Sequence, residues 1–299
     1  MQRLAVLREV ARCGSFAGAA ATLRHTPSAV SQQIAALERS AGVTLVERST
    51  RGVVLTDAGQ ILLAAADTIH AEVLAAERQL NNLRTDGPST LTVVTFPSAG
   101  EPLLAPALTA MAAGHHVEVT VIEAEPDQAL HAIRGGEADI ALVYHFHTPQ
   151  PPRHWPGTAG FGAYTPLLVD HLRLVVPTSH PLADRTAVSV GEVVGERWVQ
   201  GWGEPGSVLD TLAAHAGFHP NVACRSSDYR FMSALVGAGV GVALIPHLAL
   251  CDHPRVRAIN LVENTTRHVG AYLPRRHRAN RTAERLMQAL VTQAATYAP

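Results

Sequence analysis

Residues 15–38, SFAGAAATLRHTPSAVSQQIAALE, carry the pattern that organises the chain. They divide into two short helical stretches around a tight connection. Ser15 is placed to cap the first. Its Ala19, Ala20 and Leu23 recur at helical spacing, and the small residues let a neighbouring helix come close. Thr26 is placed to cap the second, and Pro27 falls at its first helical position, where a missing N–H is no loss. Val30, Ile34 and Leu37 then form one apolar face at spacings of four and three, while Ser28, Ser31, Gln32 and Gln33 form the other. That polar face is short and uncharged, which suits hydrogen bonding to base edges in a major groove better than a salt-bridged surface. A helix-turn-helix accounts for both faces; a plain helical hairpin whose polar side faces water is the competing reading.

The next residues add what a plain hairpin lacks. After Gly42, VTLVERSTRGVVLTDAG reads as strand, turn and strand, with Arg48, Arg51 and Gly52 at the turn and Val53 to Leu55 in the second strand. Such a basic hairpin is a wing, whose arginines lie along phosphates or enter a minor groove. On these residues the first 60 or so positions resemble the LysR-type transcriptional regulators. SFAGAA, the Pro27 to Leu37 helix with VSQQIAALE, then Gly42, Leu45, Glu47-Arg48, Arg51 and LTDAG stand in the family's order. Leu7 and Val46 occupy places where the family usually has phenylalanine, and Gln32 one where it often has arginine. The resemblance implies a double-stranded DNA operator as partner, contacted by Thr26, Pro27, Ser28, Ser31, Gln32 and Gln33 on the helix and by Arg48 and Arg51 on the wing.

The whole chain, at 299 residues with 47% hydrophobic and 16% charged content, is large enough for two or three domains with a substantial core. Its net charge of −1 hides an asymmetry, because residues 1–60 hold seven arginines against four acids. All 24 basic residues are arginine, a usage that fits GC-rich codon bias. No apolar run approaches the length of a membrane span and the N-terminus has no secretion signal, so a cytoplasmic location without a membrane partner is expected. Cys13, Cys224 and Cys251 are an odd, widely spaced set that argues against a disulfide framework.

In chain order, residues 3–12 read as a helix completing a three-helix core, with Leu4, Leu7, Val10 and Ala11 on one side. Thr56 is placed to cap a long helix from Asp57 to about Arg84, ended by Asp86-Gly87-Pro88. Leu62, Ala66, Ile69, Val73, Ala76, Leu80 and Leu83 alternate steps of four and three, a heptad seam. A lone helix about 42 Å long would leave this stripe in water, so pairing with a second copy is expected, through Leu62, Ile69, Val73 and Leu80. Packing on the chain's own domain is the alternative. The resemblance makes this the family's dimerisation linker and implies a homodimer or homotetramer, with RNA polymerase as a partner where the protein activates.

From Leu91 short apolar strands alternate with helical segments. The strands read as Leu91 to Thr95, Val117 to Glu123, Ile140 to Tyr144, Arg173 to Val176, Val222 to Arg225 and Val242 to Ile245. The helices read as Pro102 to Ala113, Asp127 to Gly135, Ser207 to Ala216 and Asp228 to Ala238, with a terminal one from Arg281 to about Ala294. The resemblance continues in GGEADIALV (135–143), TPLLVDHLRLVVPTSHPLA (165–183), GFHP (217–220) and SALVGAGVGVALIPHLAL (233–250). It implies a two-lobed effector domain like periplasmic solute-binding proteins, crossed twice near residues 163–167 and 263–270. The expected fold class is therefore α/β, with a winged helix-turn-helix at 1–58, a linker helix at 59–87 and an effector domain at 88–299. Lobe I takes about 88–166 and 265–299, and lobe II about 167–264.

An effector is expected between the lobes. At Phe96-Pro97-Ser98-Ala99-Gly100 a strand gives way to a helix, whose N–H groups and Ser98 hydroxyl favour a small anion. The resemblance makes Ser98 and Ala99 contacts, with Tyr144 at the cleft floor and Gly201, Trp202 and Ser227 opposite. The pairs His145 and His147, His115 and His116, and His215 and His219 lack the extra ligands of a metal site, so neither metal nor cofactor is expected. Arg275-Arg276-His277-Arg278 reads as a solvated run, and the four prolines between His147 and Trp155 as a long loop. Gly237, Gly239 and Gly241 follow a helix rather than a strand, unlike a dinucleotide loop. No catalytic motif is present, so an enzyme is not expected. A solute-transport module would require secretion.

Overall fold

Three helices build the head: α1 (Gln2–Cys13), α2 (Phe16–Leu23) and α3 (Pro27–Ala41). In this computed structural model the described residues are 2–49, 52–84, 89–112, 117–146, 162–201, 207–274 and 280–297. They fall into two units, Met1–Gly87 with His131–Ala138, and Pro88–Leu130 with Asp139–Pro299. Ser15 Oγ accepts the Gly18 N–H at 3.1 Å and Thr26 Oγ1 accepts the Ala29 N–H at 3.2 Å, so both expected caps form. Helix α3 ends at Gly42, whose φ of 72° is the left-handed cap that glycine adopts freely. Leu7, Val10, Ala19, Ala20, Val30 and Ile34 make the buried core of the head.

The wing is an antiparallel pair, β1 (Val46–Ser49) with β2 (Gly52–Leu55), in the register Val46↔Leu55. Glu38 ties it to α3, its Oε1 accepting the N–H groups of Leu45 (2.8 Å) and Val46 (3.3 Å). The Val53 N–H donates to the Gly14 carbonyl at 2.8 Å, and a Cβ at Gly52 would collide with that same oxygen. Helix α4 (Asp57–Arg84) starts at Thr56, whose Oγ1 accepts the Gly59 N–H at 3.0 Å. A half-buried ion pair, Arg8 Nε to Asp67 Oδ1 at 2.6 Å, fixes α1 to α4. Along the heptad seam Leu62 packs on the head and Ala66 is buried, whereas Ile69, Val73 and Leu80 are 41%, 37% and 59% exposed. The side chain of Leu83 lies outside the described residues.

The second unit alternates strands and helices. In its first part β3 (Ser89–Thr95) lies parallel to β4 (Val117–Glu123) and β5 (Ile140–Phe146). Between β3 and β4 come α5 (Pro97–Ala99), a π-type turn at Gly100–Leu104 and α6 (Ala105–Ala112); α7 (Pro126–Gly135), whose residues from His131 on belong to the first unit, precedes β5. The helix expected from Pro102 thus begins at Pro97 and passes through a wider turn. Strand β6 (Gly162–Pro177) is a single 16-residue element, far longer than the Arg173 to Val176 segment expected.

Strand β6 pairs with the late strand β12 (Thr266–Pro274) from Gly162↔Pro274 to His171↔Thr266. From Leu172 onward it pairs instead with β10 (Ala243–Pro246) and β11 (Val256–Leu261). The change of partner falls at residues 171–172, a little after the crossing placed from sequence, because one continuous strand serves both lobes. The second lobe adds β7 (Ala187–Val188), a parallel pair β8 (Arg197–Gly201) and β9 (Asn221–Ser226), and helices α8 (Val208–His215) and α9 (Tyr229–Gly237). Helix α10 (Arg281–Ala295) packs Leu286 and Leu290 into the first lobe's core with Leu91, Leu103 and Leu142. Trp198, Leu174 and Ile259 centre the second lobe's core.

Candidate functional site

On α3 the residues expected to meet DNA divide by exposure. Thr26, Pro27, Ser28 and Gln32 are exposed, while Ser31 and Gln33 are half-buried, so the exposed group forms the outward edge of the helix. Arg48 pairs with Val53 through the backbone of the wing; its side chain, and the whole of Arg51, lie outside the described residues. The local reason is the periodicity: with Val30 and Ile34 fixed in the core, the residues between them on the helical wheel must point outward.

In the second unit a cleft of about 1000 Å³ lies between the lobes. Pro97, Ser98 and Glu101 line it from the first lobe and Ser227 to Arg230 from the second, with His247 to Asp252 along one wall. Behind Ser98, Arg267 and Asp170, each about 2% exposed, form a buried ion pair. Arg267 donates from Nε and Nη2 to Asp170 Oδ2 at 2.9 and 2.7 Å, and from Nη2 to Ser98 Oγ at 2.7 Å. Asp170 Oδ1 accepts the Leu248 N–H at 3.1 Å, so both carboxylate oxygens are used. The guanidinium also sits over the rings of Tyr144 (4.7 Å) and Phe96 (5.1 Å).

Tyr144 donates its hydroxyl to Glu125 Oε2 at 2.8 Å and meets Phe96 edge to face. Burial raises its phenol well above the usual range, and Glu125 adds to the rise. Tyr229 behaves alike: burial raises it, and the Arg267 guanidinium, with the Ser98 hydroxyl, works against the rise. Both phenols therefore remain neutral hydrogen-bonding groups at neutral pH. At the opening, Arg230 on α9 reaches Glu101 on the first lobe, Nη2 standing 2.6 and 2.8 Å from the two carboxylate oxygens.

Of the sequence-derived effector residues, Ser98 and Ser227 line the cleft, and Tyr144 stands behind Ser98 against Arg267. Ala99 does not: its side chain is fully buried in the first-lobe core and its N–H donates to the Phe96 carbonyl at 3.0 Å. Helix α5 turns that side chain inward. Gly201 ends β8, paired with Ser226, and is absent from the cleft walls; Trp202 lies outside the described residues. The helix whose N-terminus was expected to face the effector begins at Pro97 as α5, three residues long before the π-type turn. The buried cation beside Ser98 is already neutralised by Asp170. Sequence reading missed Arg267, Asp170, Tyr229 and Arg230; for Asp170 and Arg267 a charge inside the apolar stretches LLVDHLRLVV and TRHVGAYLP was a visible signal.

Of the paired histidines, His145 is buried, stacked on His268 and 3.3 Å from the Tyr164 hydroxyl; His215 Nδ1 lies 2.7 Å from the Thr211 carbonyl. His115, His116 and His147, the loop to Trp155 and the Arg275 to Arg278 run lie outside the described residues.

Comparison with known proteins agrees with this arrangement. Residues 85–295 match the LysR substrate binding domain, and residues 1–60 match the bacterial regulatory helix-turn-helix protein, lysR family. An uncharacterized HTH-type transcriptional regulator of Mycobacterium tuberculosis (strain ATCC 25618 / H37Rv) is 30% identical over 81% of this chain and 79% of its own length. The transcriptional dual regulator GltC of Bacillus subtilis (strain 168) is 28% identical over 75% of this chain and 73% of its own. The structure of HinK, a LysR family transcriptional regulator from Pseudomonas aeruginosa, shares the fold at a TM-score of 0.59 and 19% identity, covering 99% of each chain. The head with its exposed polar helix and wing, the α/β unit with its cleft, and matches across both make this chain a member of the LysR family of helix-turn-helix transcriptional regulators.

Proposed function

We propose that the protein binds an interrupted palindromic operator as a dimer or tetramer and changes its action when a small molecule occupies the cleft between the lobes. The working division is a winged head at 1–58, a linker helix at 59–87 and an effector domain at 88–299. Thr26, Pro27, Ser28, Ser31, Gln32 and Gln33 meet the major groove, and Arg48 and Arg51 the flanking phosphates. Ser98, Tyr144 and Ser227, joined by Tyr229, meet the effector. The reading is of a regulator without enzymatic chemistry, acting in the cytoplasm where its DNA lies, and contacting RNA polymerase where it activates.

The observation that carries dimerisation is the half-used seam of α4. Ile69, Val73 and Leu80 stay exposed on one stripe of a 28-residue helix, the pattern of a coiled-coil partner surface. Two paired heads would place recognition helices on one DNA face, about 10 base pairs apart or a multiple of that. Sequencing genomic fragments retained by the purified full-length protein tests the proposal. A shared inverted repeat with that spacing is expected; fragments with no common half-sites would overturn it.

A further inference from the structure

We propose that the effector is a cation, a small organic amine or guanidine, whose positive group takes the place of Arg230 on Glu101. The inference rests on the cleft being the effector site; the cleft identifies the place, and the charges on its walls decide what enters. Glu101, Glu123, Asp228 and Asp252 line it, and among the described residues Arg230 is the one arginine on its walls. His247 is the other nitrogen base there.

That arginine is committed. Its guanidinium already rests on both oxygens of Glu101, across the opening between the lobes. The pair is a stand-in for a ligand: it demonstrates that Glu101 accepts a guanidinium at hydrogen-bonding distance in this cleft. It is also exposed, 69% for Arg230 and 76% for Glu101, so water competes with it and an incoming cation displaces it readily. Arg267 offers an anion nothing further, because its charge is neutralised by buried Asp170, and detaching it would strand a carboxylate in the interior. Glu123 and Asp252 have no ion-pair partner among the described residues and leave the cleft with excess negative charge, which raises the local concentration of cations. Asp228 is held by the Arg230 and Phe231 N–H groups at 2.9 and 3.0 Å as the cap of α9.

The test exploits the opposite signs that the two ligand charges predict. Full-length protein is titrated by calorimetry with agmatine, putrescine and tyramine, and in parallel with succinate and benzoate. At least one amine is expected to bind. Arg230→Ala, which frees Glu101, should tighten that binding by about fivefold, and Glu101→Gln should weaken it by about as much, a change equal to one exposed ion pair. Carboxylate binding that is lost in Arg230→Ala would overturn the proposal, as would the failure of every amine to bind either the wild type or Arg230→Ala. Ser227→Trp, which fills the cleft from its rim, separates this from the underlying reading. A carboxylate blocked by that variant leaves the cleft standing and removes only the charge assignment; an amine that binds it unchanged places the site elsewhere.

Discussion

Arg267, Asp170 and Ser98 show how single residues set the behaviour of the cleft. Asp170→Asn would leave a buried guanidinium without its counter-ion, and a loss of about 3 to 5 kcal/mol in a urea denaturation series is expected. Ser98→Val removes the hydroxyl at nearly constant volume; operator binding without effector should persist, and the effector response in a reporter assay should fall. Tyr272 gives a residue-scale expectation for pH. Its hydroxyl is buried without a partner among the described residues, and burial pushes its phenol up to about 12. The neutral form is the one that folding favours, so this contribution is fully present below the unfolded value of about 10 and is lost as pH rises through about 12. Urea midpoints measured from about pH 9 to 11.5 should therefore fall. Tyr272→Phe should flatten that decline at no cost at neutral pH, because it deletes an unsatisfied group.

Elements carry the division of labour between recognition and assembly. On α3 the Thr26 cap and the core residues Val30 and Ile34 fix the rotation that turns Gln32 outward. Gln32→Ala should reduce the ratio of operator to random-DNA affinity by about 1 to 3 kcal/mol with the fold intact, which competition binding would measure. On α4 the seam was legible as a heptad because helical period is local information. Half of it meets the chain's own head at Leu62, which period alone could not disclose, and the other half stays open. Replacing both Ile69 and Val73 by aspartate should dissociate a dimer at micromolar concentration in light scattering, and a double variant that still binds the full palindrome with wild-type affinity would contradict the pairing.

At the scale of the molecule, coupling requires that the effector favour one arrangement of the lobes over another, since a ligand shifts an equilibrium only by its differential affinity. Strand β6 is the shared beam: its first half pairs with β12 in one lobe and its second half with β10 and β11 in the other. A break in it at Leu172, where the partners change, should uncouple effector from operator. Leu172→Pro removes a donor to the Thr265 carbonyl at 2.9 Å, and the expected outcome is preserved operator binding by the head with no effector response in the same gel-shift assay.

The sequence by itself determined the caps at Ser15 and Thr26, the polar edge of α3, the wing, the length of α4 and the α/β alternation after Leu91. Each is written in spacings of a few residues, and the family resemblance was carried by the same local motifs. Only the tertiary structure decided that Ala99 turns into the core, that one strand serves both lobes, and that among the described residues Arg230 on the cleft wall is already paired with Glu101. The physical reason is separation along the chain. Arg267 meets Asp170 across 97 residues and Ser98 across 169, and Arg230 meets Glu101 across 129. A charge in the sequence shows its sign; whether it is free to attract a ligand depends on a partner that folding alone brings beside it.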